Sequence, residues 1–248
     1  MKQRIDKLLI DRGLVPSRER AQAMVLAGRV LVNEQKVLKP GTSVESEAVI
    51  RLLGDDRRYV SRGGLKLEKA LQHWQIDVTG QTCLDIGAST GGFTDCLLQH
   101  GAAKVIAVDT GYGQIDMKLR QDNRVILHEK LNARFLKAEN IGEPIAIAVM
   151  DVSFISATIV LPAVISAARP SGIVVLVKPQ FEVGREKVGK GGIVRDETAQ
   201  LGAVKKVSDS LADLGYKVRE PIDSPILGAE GNREFLLYAT EAKASPRT

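Results

Sequence analysis

Leu84-Asp85-Ile86-Gly87-Ala88-Ser89-Thr90-Gly91-Gly92-Phe93-Thr94-Asp95 joins an apolar run, Cys83 to Ile86, to a helical pattern carried by Phe93, Leu97 and Leu98. Strand, glycine turn and helix N-terminus in that order let a backbone approach a nucleotide-like ligand closely. A second apolar run, Val105 to Val108, ends in Asp109, 24 residues after Asp85. An acidic side chain about 20 residues beyond such a loop suits the hydroxyls of a ribose. The two features together predict a nucleoside cofactor.

The glycine spacing narrows the cofactor. Gly87-x-x-x-Gly91-Gly92 does not match the G-x-G-x-x-G of dinucleotide enzymes, and the loop lacks the Gly-Lys-Ser/Thr of a phosphate-cradling P-loop. Asp85 would repel a phosphate but suits a cationic ligand such as S-adenosylmethionine. The expected cofactor contacts are therefore Asp85, Gly87, Ala88, Ser89, Thr90, Gly91, Gly92 and Phe93, with Asp109 on the ribose. Glu129 and Asn132, just after a third strand, are placed to meet adenine or ribose.

At 248 residues, 44% of them hydrophobic, the chain can form one sizeable α/β domain and a small appendage. Its longest apolar stretches, Ile145 to Met150 and Ile173 to Val177, are too short to span a bilayer, and no secretory signal pattern opens it. Cys83 and Cys96 are expected as reduced core residues, and three scattered histidines form no metal cluster. A cytoplasmic protein without metal or membrane partners is expected. Residues 1–60 hold 12 Lys/Arg against 8 Asp/Glu, and the remaining 188 hold 23 against 22. The basicity therefore lies in the N-terminal segment, which points to a polyanionic partner.

In that segment Ile5, Leu8 and Leu9 share a helical face closed by Gly13. Ser17 is placed to cap a second helix with Ala21, Met24, Val25 and Leu26, ended by Gly28. Val30 to Asn33 reads as a strand, Pro40-Gly41 as a turn and Val44 to Leu53 as further strand. Arg4-Ile5-Asp6, Ser17-Arg18-x-x-Ala21, Gly28-x-Val30-x-Val32-Asn33 and Lys39-Pro40-Gly41 resemble the RNA-binding domain of small-subunit ribosomal protein S-four. That resemblance implies contacts with structured RNA through Arg18, Arg20 and Arg29, with Arg4 in its first motif. Such contacts read backbone and shape more than base identity.

Beyond a linker at 57–60, preceded by Asp55 and Asp56, strand-like runs alternate with helical ones. They are Cys83–Ile86, Val105–Asp109, Val125–His128, Ile145–Asp151, Gly172–Lys178, Lys217–Pro221 and Glu234–Tyr238. The alternation predicts a doubly wound, mainly parallel sheet, whose ligands lie beyond the carboxyl ends of the strands. Asp85, Asp109, Asp151 and Lys178 are the polar residues there. Asp151-Val152-Ser153-Phe154 lacks the two prolines of exocyclic-amine methyltransferases, and neither cysteine is placed as a nucleophile for pyrimidine carbon. A hydroxyl acceptor is the best remaining candidate. Its proton must be removed, and a lysine serves if its pKa falls from about 10.4 toward 7–8. Lys178, at the end of a very apolar strand, is the candidate base. Arg62 and the glycine-rich loop Gly184 to Arg195, with Arg185, Lys187 and Lys190, suit RNA phosphates.

Further motifs extend the resemblance to the whole chain. They are Ser61-Arg62-Gly63-Gly64-x-Lys66-Leu67, Asp151-Val152-Ser153-Phe154-Ile155-Ser156, Lys178-Pro179-Gln180-Phe181-Glu182, Gly189 to Asp196 and Gly231-Asn232-x-Glu234-Phe235. With the Gly87-to-Thr94 loop they resemble the TlyA (hemolysin A) group of ribosomal RNA methyltransferases, relatives of the FtsJ-like 2′-O-methyltransferases. Ser89, where many methyltransferases carry glycine, is shared with that group. The resemblance implies an α/β fold: a Rossmann-like class I methyltransferase sheet (61–248) behind a small N-terminal α+β RNA-binding domain (1–56). It implies a tetrad of Lys66, Asp151, Lys178 and Glu234, with Lys178 as base and Asp151 also near the cofactor. It also implies S-adenosylmethionine as donor and ribosomal RNA or ribosomal subunits as partner, with a cytidine as the target. Two other classes compete: an RNA-binding protein without turnover, and a cytolysin as the hemolysin name suggests. The sequence does not identify the nucleotide, the subunit or the oligomeric state.

Overall fold

The computed structural model describes residues 2–15, 17–53, 58–228 and 231–242. It divides into two compact units, 1–57 and 58–248. Asp55, Asp56 and the first linker residue, Arg57, lie outside the described residues, as do residues 243–248 of the expected second domain.

The smaller unit runs β1 (Lys2–Arg4), α1 (Ile5–Asp11), α2 (Arg18–Leu26), β2 (Val30–Val32), β3 (Gln35–Val37), β4 (Ser43–Glu45) and β5 (Ile50–Leu52). Ile5, Leu8 and Leu9 of α1 pack against Ala21, Met24 and Val25 of α2 and against Val30 and Val32 of β2. Ser17 accepts a hydrogen bond from the Arg20 backbone N–H and caps α2. Leu26, the last residue of α2, is 67% exposed, whereas Ala21, Met24 and Val25 are buried. Asn33 and Glu34 both adopt positive φ and close β2 on β3 with a two-residue turn that matches strand twist. The single strand expected over Val44–Leu53 is two: β4 pairs with β1, and β5 pairs with β2. The break falls where Asn33 Oδ1 accepts from the Val49 N–H and Arg12 donates to the Ala48 carbonyl.

Asp6 is fully buried in this unit. Arg4 donates to both its carboxylate oxygens at 3.0 and 2.8 Å, Gln22 donates at 3.3 Å, and Arg18 lies at 3.5 Å. Two of the four arginines expected to meet RNA are thus tied to a buried carboxylate, each with about half or more of its side chain exposed.

The larger unit opens with α3 (Gly63–His73) and β6 (Thr82–Ile86), followed by α4 (Gly92–Gln99) and β7 (Lys104–Val108). Next come α5 (Met117–Arg120), β8 (Val125–His128), β9 (Ile147–Met150) and α6 (Ala157–Ala168). The chain then runs through β10 (Gly172–Val177), α7 (Pro179–Glu182), α8 (Glu197–Asp213), β11 (Tyr216–Val218), β12 (Ile222–Asp223) and β13 (Phe235–Glu241). The main sheet order is β11-β13-β10-β9-β6-β7-β8. β8, β7, β6, β9 and β10 are mutually parallel, and β13 runs antiparallel to β10. Both faces are covered, so the central strands are buried and largely apolar, Asp85 of β6 being the charged exception. Leu84, Ile86, Ala148, Met150, Ile173 and Val175 face one core, and Cys83, Ile147, Val149, Val174 and Leu176 face the other. Both cysteines are free and buried, and burial pushes each thiol up to about 12. Tyr59 and Val60, expected in a linker, pack into this unit: Tyr59 is buried, and the Val60 N–H donates to Asp95.

The hydrogen bonds from Arg4 hold the Asp6 carboxyl well below the usual carboxylate range, against its burial, with Gln22 adding to the effect. A depressed folded-state pKa contributes stability above the unfolded value of about 4, and that contribution is lost as pH falls toward the folded value. Asp6→Asn is expected to destabilise the small unit by about 1–3 kcal/mol at pH 7. In denaturation of the full chain the gap to wild type should narrow between pH 5 and pH 3. A gap constant with pH would contradict this role.

Candidate active site

The strand order reverses between β6 and β9, which is where open α/β sheets leave a crevice at their carboxyl edge. Gly87 follows β6 at φ +83°, and a Cβ there would stand 2.5 Å from the Asp151 carbonyl oxygen that follows β9. Only glycine fits both the backbone and the space. The Ser61-Arg62-Gly63-Gly64 run is explained by similar crowding. A Cβ on Gly92 would lie 2.2 Å from Ser61 Oγ, and one on Gly64 would lie 2.2 Å from the Tyr59 ring. These glycines let the start of α3 close against the start of α4. Lys66, next to the core residue Leu67, is thereby brought to the crevice.

Two cavities open here. The first, about 270 Å³, is lined by Gly87, Ala88, Ser89, Thr90, Gly92 and Phe93, by Arg62 and Lys66 of the α3 start, and by Asp151, Ser153 and Lys178. The second, about 450 Å³, is lined by Phe154, Gln180, Phe181, Val188, Gly191, Gly192, Asn232 and Glu234. Lys66, Ser153 and Lys178 line both. They form the wall between a glycine-loop side and an aromatic side.

Two ion pairs meet on that wall. Lys178 Nζ lies 2.6 Å from Asp151 Oδ1 and donates to Ser153 Oγ at 2.7 Å. Lys66 Nζ donates to Glu234 Oε2 at 2.5 Å, both side chains being at least nine-tenths buried. Pro179 explains why Lys178 leaves the sheet. It has no N–H for the ladder and restricts the residue before it to extended backbone, so β10 stops at Val177. β13 pairs Phe235 with Val177, which sets Glu234 at the same edge, one step beyond the pair. The register Ile86–Met150 likewise carries Asp151 to the edge beside Gly87.

Other expected residues play different parts. Asp85 points from β6 toward α4 rather than into the first cavity, because alternate strand residues face opposite sides. It is fully buried and accepts from Thr94 Oγ1 at 2.6 Å, while its Oδ1 has no donor from the protein. Burial pushes its carboxyl up to about 7. Asp109 accepts from the Ser89 N–H at 2.8 Å and from the Gly111 N–H at 2.6 Å, and so shapes the glycine loop from outside the first cavity. Glu129 is engaged by Arg120 and the Gly113 N–H, and Asn132 caps a 3-10 turn. Neither lines either cavity. Arg185, Lys187 and Lys190 stand exposed on the loop beside the second cavity.

Reasoning from strand ends alone passes over several residues that the structure brings in. Phe154 is 92% exposed at φ +64° and packs its ring 5.3 Å from Phe181. Glu182 accepts from Ser156 Oγ and the Ala157 N–H, tying the Lys178–Glu182 turn to the Asp151–Ser156 loop. Asn232 accepts from the Val194 N–H at 3.1 Å and donates to the Gly192 carbonyl at 2.9 Å, pinning the basic loop beside Glu234. Each lies in a motif of the resemblance, and an aromatic in the polar stretch that follows Asp151 at a strand end is the signal that could have singled out Phe154.

A parallel sheet whose glycine loop and facing lysine–carboxylate pairs meet at the switch point defines a group-transfer enzyme class built on a nucleoside cofactor. Residues 59–241 match the FtsJ-like methyltransferase family and residues 3–50 match the S4 domain. The chain belongs to the FtsJ-like methyltransferase family. It is 44% identical to the 16S/23S rRNA (cytidine-2′-O)-methyltransferase TlyA of Mycobacterium tuberculosis, over 95% of this chain and 88% of that protein. It is 43% identical to Hemolysin A of Brachyspira hyodysenteriae, over 95% of this chain and 98% of that one. A solved structure described as a hemolysin from Streptococcus thermophilus superposes with a TM-score of 0.76 at 42% identity, covering 98% of this chain and 90% of that chain.

Asn232→Ala removes both clamps on the loop. Limited trypsin digestion of the full chain should then cut after Arg185, Lys187 or Lys190 roughly ten-fold faster, local opening being governed by its free energy. Unchanged cleavage there would show that Asn232 does not hold the loop.

Proposed function

We propose that this chain transfers a methyl group from S-adenosylmethionine to a ribose 2′-hydroxyl of ribosomal RNA, at a cytidine. The observation that carries the reading is the wall between the two cavities, where Lys178–Asp151 and Lys66–Glu234 face one another. The relative named as an rRNA cytidine-2′-O-methyltransferase supports the choice of substrate.

The first cavity fits the donor. It is lined by the backbone and small side chains of Gly87, Ala88, Ser89, Thr90 and Gly92, and its loop carries no phosphate-gripping lysine. Gly87 to Phe93 would hold the donor, with Asp109 shaping the loop, Asp85 behind it and Arg62 suited to its carboxylate. When bound, S-adenosylmethionine supplies a methyl group made electrophilic by the sulfonium. The second cavity offers Phe154 and Phe181 as a platform for an unstacked base, a mode of recognition typical of single-stranded RNA.

Lys178 accepts the proton of the ribose hydroxyl on Nζ. Asp151 orients that nitrogen and stabilises the ammonium that forms. Lys66, held by Glu234, places a second cation on the wall, where charge develops on the attacking oxygen. Arg185, Lys187 and Lys190 offer the RNA backbone a basic border, and the S4 domain, with Arg4, Arg18, Arg20 and Arg29, grips structured RNA. A ribosomal RNA substrate fits a protein that works in the cytoplasm. Among the described residues no helix is long and apolar enough to cross a membrane.

With ribosomal subunits and methyl-labelled donor, Lys178→Ala should lower transfer by at least 10²-fold, the usual contribution of a general base. Calorimetric affinity for the donor should stay near wild type. Wild-type turnover by the variant would overturn the assignment of the base, and loss of donor binding would move Lys178 to the cofactor side.

A further inference from the structure

We propose that Ser153 is a positioning residue for this reaction: its hydroxyl, together with Asp151, fixes the direction in which Lys178 presents its lone pair. The inference rests on Lys178 being the base. An amine that takes a proton has two N–H bonds and one lone pair, so the lone pair points where the two hydrogens do not. Around Lys178 Nζ the structure provides one hydrogen-bond acceptor, Ser153 Oγ at 2.7 Å, and one ion-pair partner, Asp151 Oδ1 at 2.6 Å, which accepts no hydrogen bond. The hydrogen bond to Ser153 is therefore the directional contact that sets how the amine is turned, with the Asp151 carboxylate holding it by charge. Without Ser153 the amine keeps one anchor and can turn about its Cε–Nζ bond, so attack geometry is lost in most orientations.

The backbone holds Ser153 in place for this role. Phe154, the next residue, adopts a left-handed φ of +64°, uncommon for a residue with a bulky side chain. Lys178 sits where Pro179 ends its strand, and Glu182 anchors the turn beyond it to Ser156 and Ala157. The loop that carries the serine and the turn that carries the lysine are therefore joined by the Glu182 contacts beyond the Lys178–Ser153 hydrogen bond and by the β9–β10 pairing before it. Ser153 also lines both cavities, which puts its hydroxyl beside the point where acceptor and donor meet. The serine is exposed, so its replacement leaves the core untouched.

The test is steady-state methylation of ribosomal RNA by full-length Ser153→Ala, Ser153→Cys and Ser153→Thr, each checked for an unchanged melting temperature. The alanine and cysteine variants should lose about 10- to 100-fold in kcat with KM for RNA and for S-adenosylmethionine within about two-fold of wild type. The threonine variant, which keeps the hydroxyl, should recover to within several-fold. Wild-type kcat in Ser153→Ala, a loss carried by KM for RNA, or failure of threonine to rescue would each overturn the proposal. Lys178→Ala run in parallel separates the two claims. An active Lys178→Ala removes the base itself, whereas an inactive one beside a fully active Ser153→Ala removes only the role of the serine.

Discussion

A lysine ammonium taken out of water is tolerated only when a counter-charge and hydrogen bonds replace what water supplied. This chain places two lysines on one small wall, and each is met by its own carboxylate at 2.5–2.6 Å. Much of the larger unit serves to deliver those four side chains. Lys66 arrives on a helix brought in by small residues at its start. Asp151 arrives from the strand beside the glycine loop, Lys178 where a proline ends its strand, and Glu234 at the start of the antiparallel strand. Without Glu234 the buried Lys66 cation would stand uncompensated. On the proposed reading the same pairs are also the chemical equipment of the site.

The same wall separates two environments of opposite character. On one side a loop of backbone and small side chains leaves room for a cofactor, and its shape is set by Asp109 through the amides of Ser89 and Gly111. On the other, two phenylalanines and a glycine-rich basic loop suit a base and its backbone. Transfer between the two needs no motion of the sheet, only a hydroxyl presented at Lys178. Asn232, two residues before Glu234 in sequence, makes the basic loop part of this arrangement, because it holds Gly192 and Val194.

The sheet was legible in the sequence because a parallel sheet covered on both faces writes its strands as continuous apolar runs, each ending in a polar residue. Asp151 and Lys178 follow from that rule alone. Glu234 does not, since β13 runs the other way, so that the residue just before its start, not one after its end, reaches the carboxyl edge. Lys66 is hidden for a different reason: it lies on a helix that precedes the first strand, and only packing against the α4 start reveals its direction. Both came from the family resemblance. Asp85 illustrates the opposite failure. Its place in the strand is clear from the sequence, but the alternation of side chains turns it toward Thr94 and away from the cavity. In the small unit, the paired arginines Arg4 and Arg18 read as free positive charge until the burial of Asp6 is seen.

The central claim is that the acceptor is a ribose hydroxyl, and the chemistry of the product tests it most directly. A 2′-O-methyl group removes the nucleophile that alkali needs to cleave the adjoining phosphodiester, whereas a methyl group on a base leaves that bond labile. Ribosomal RNA labelled by this protein with a radioactive methyl donor should yield, after complete alkaline hydrolysis, label confined to alkali-resistant dinucleotides that begin with cytidine. Label recovered in mononucleotides would place the methyl on a base and contradict the account.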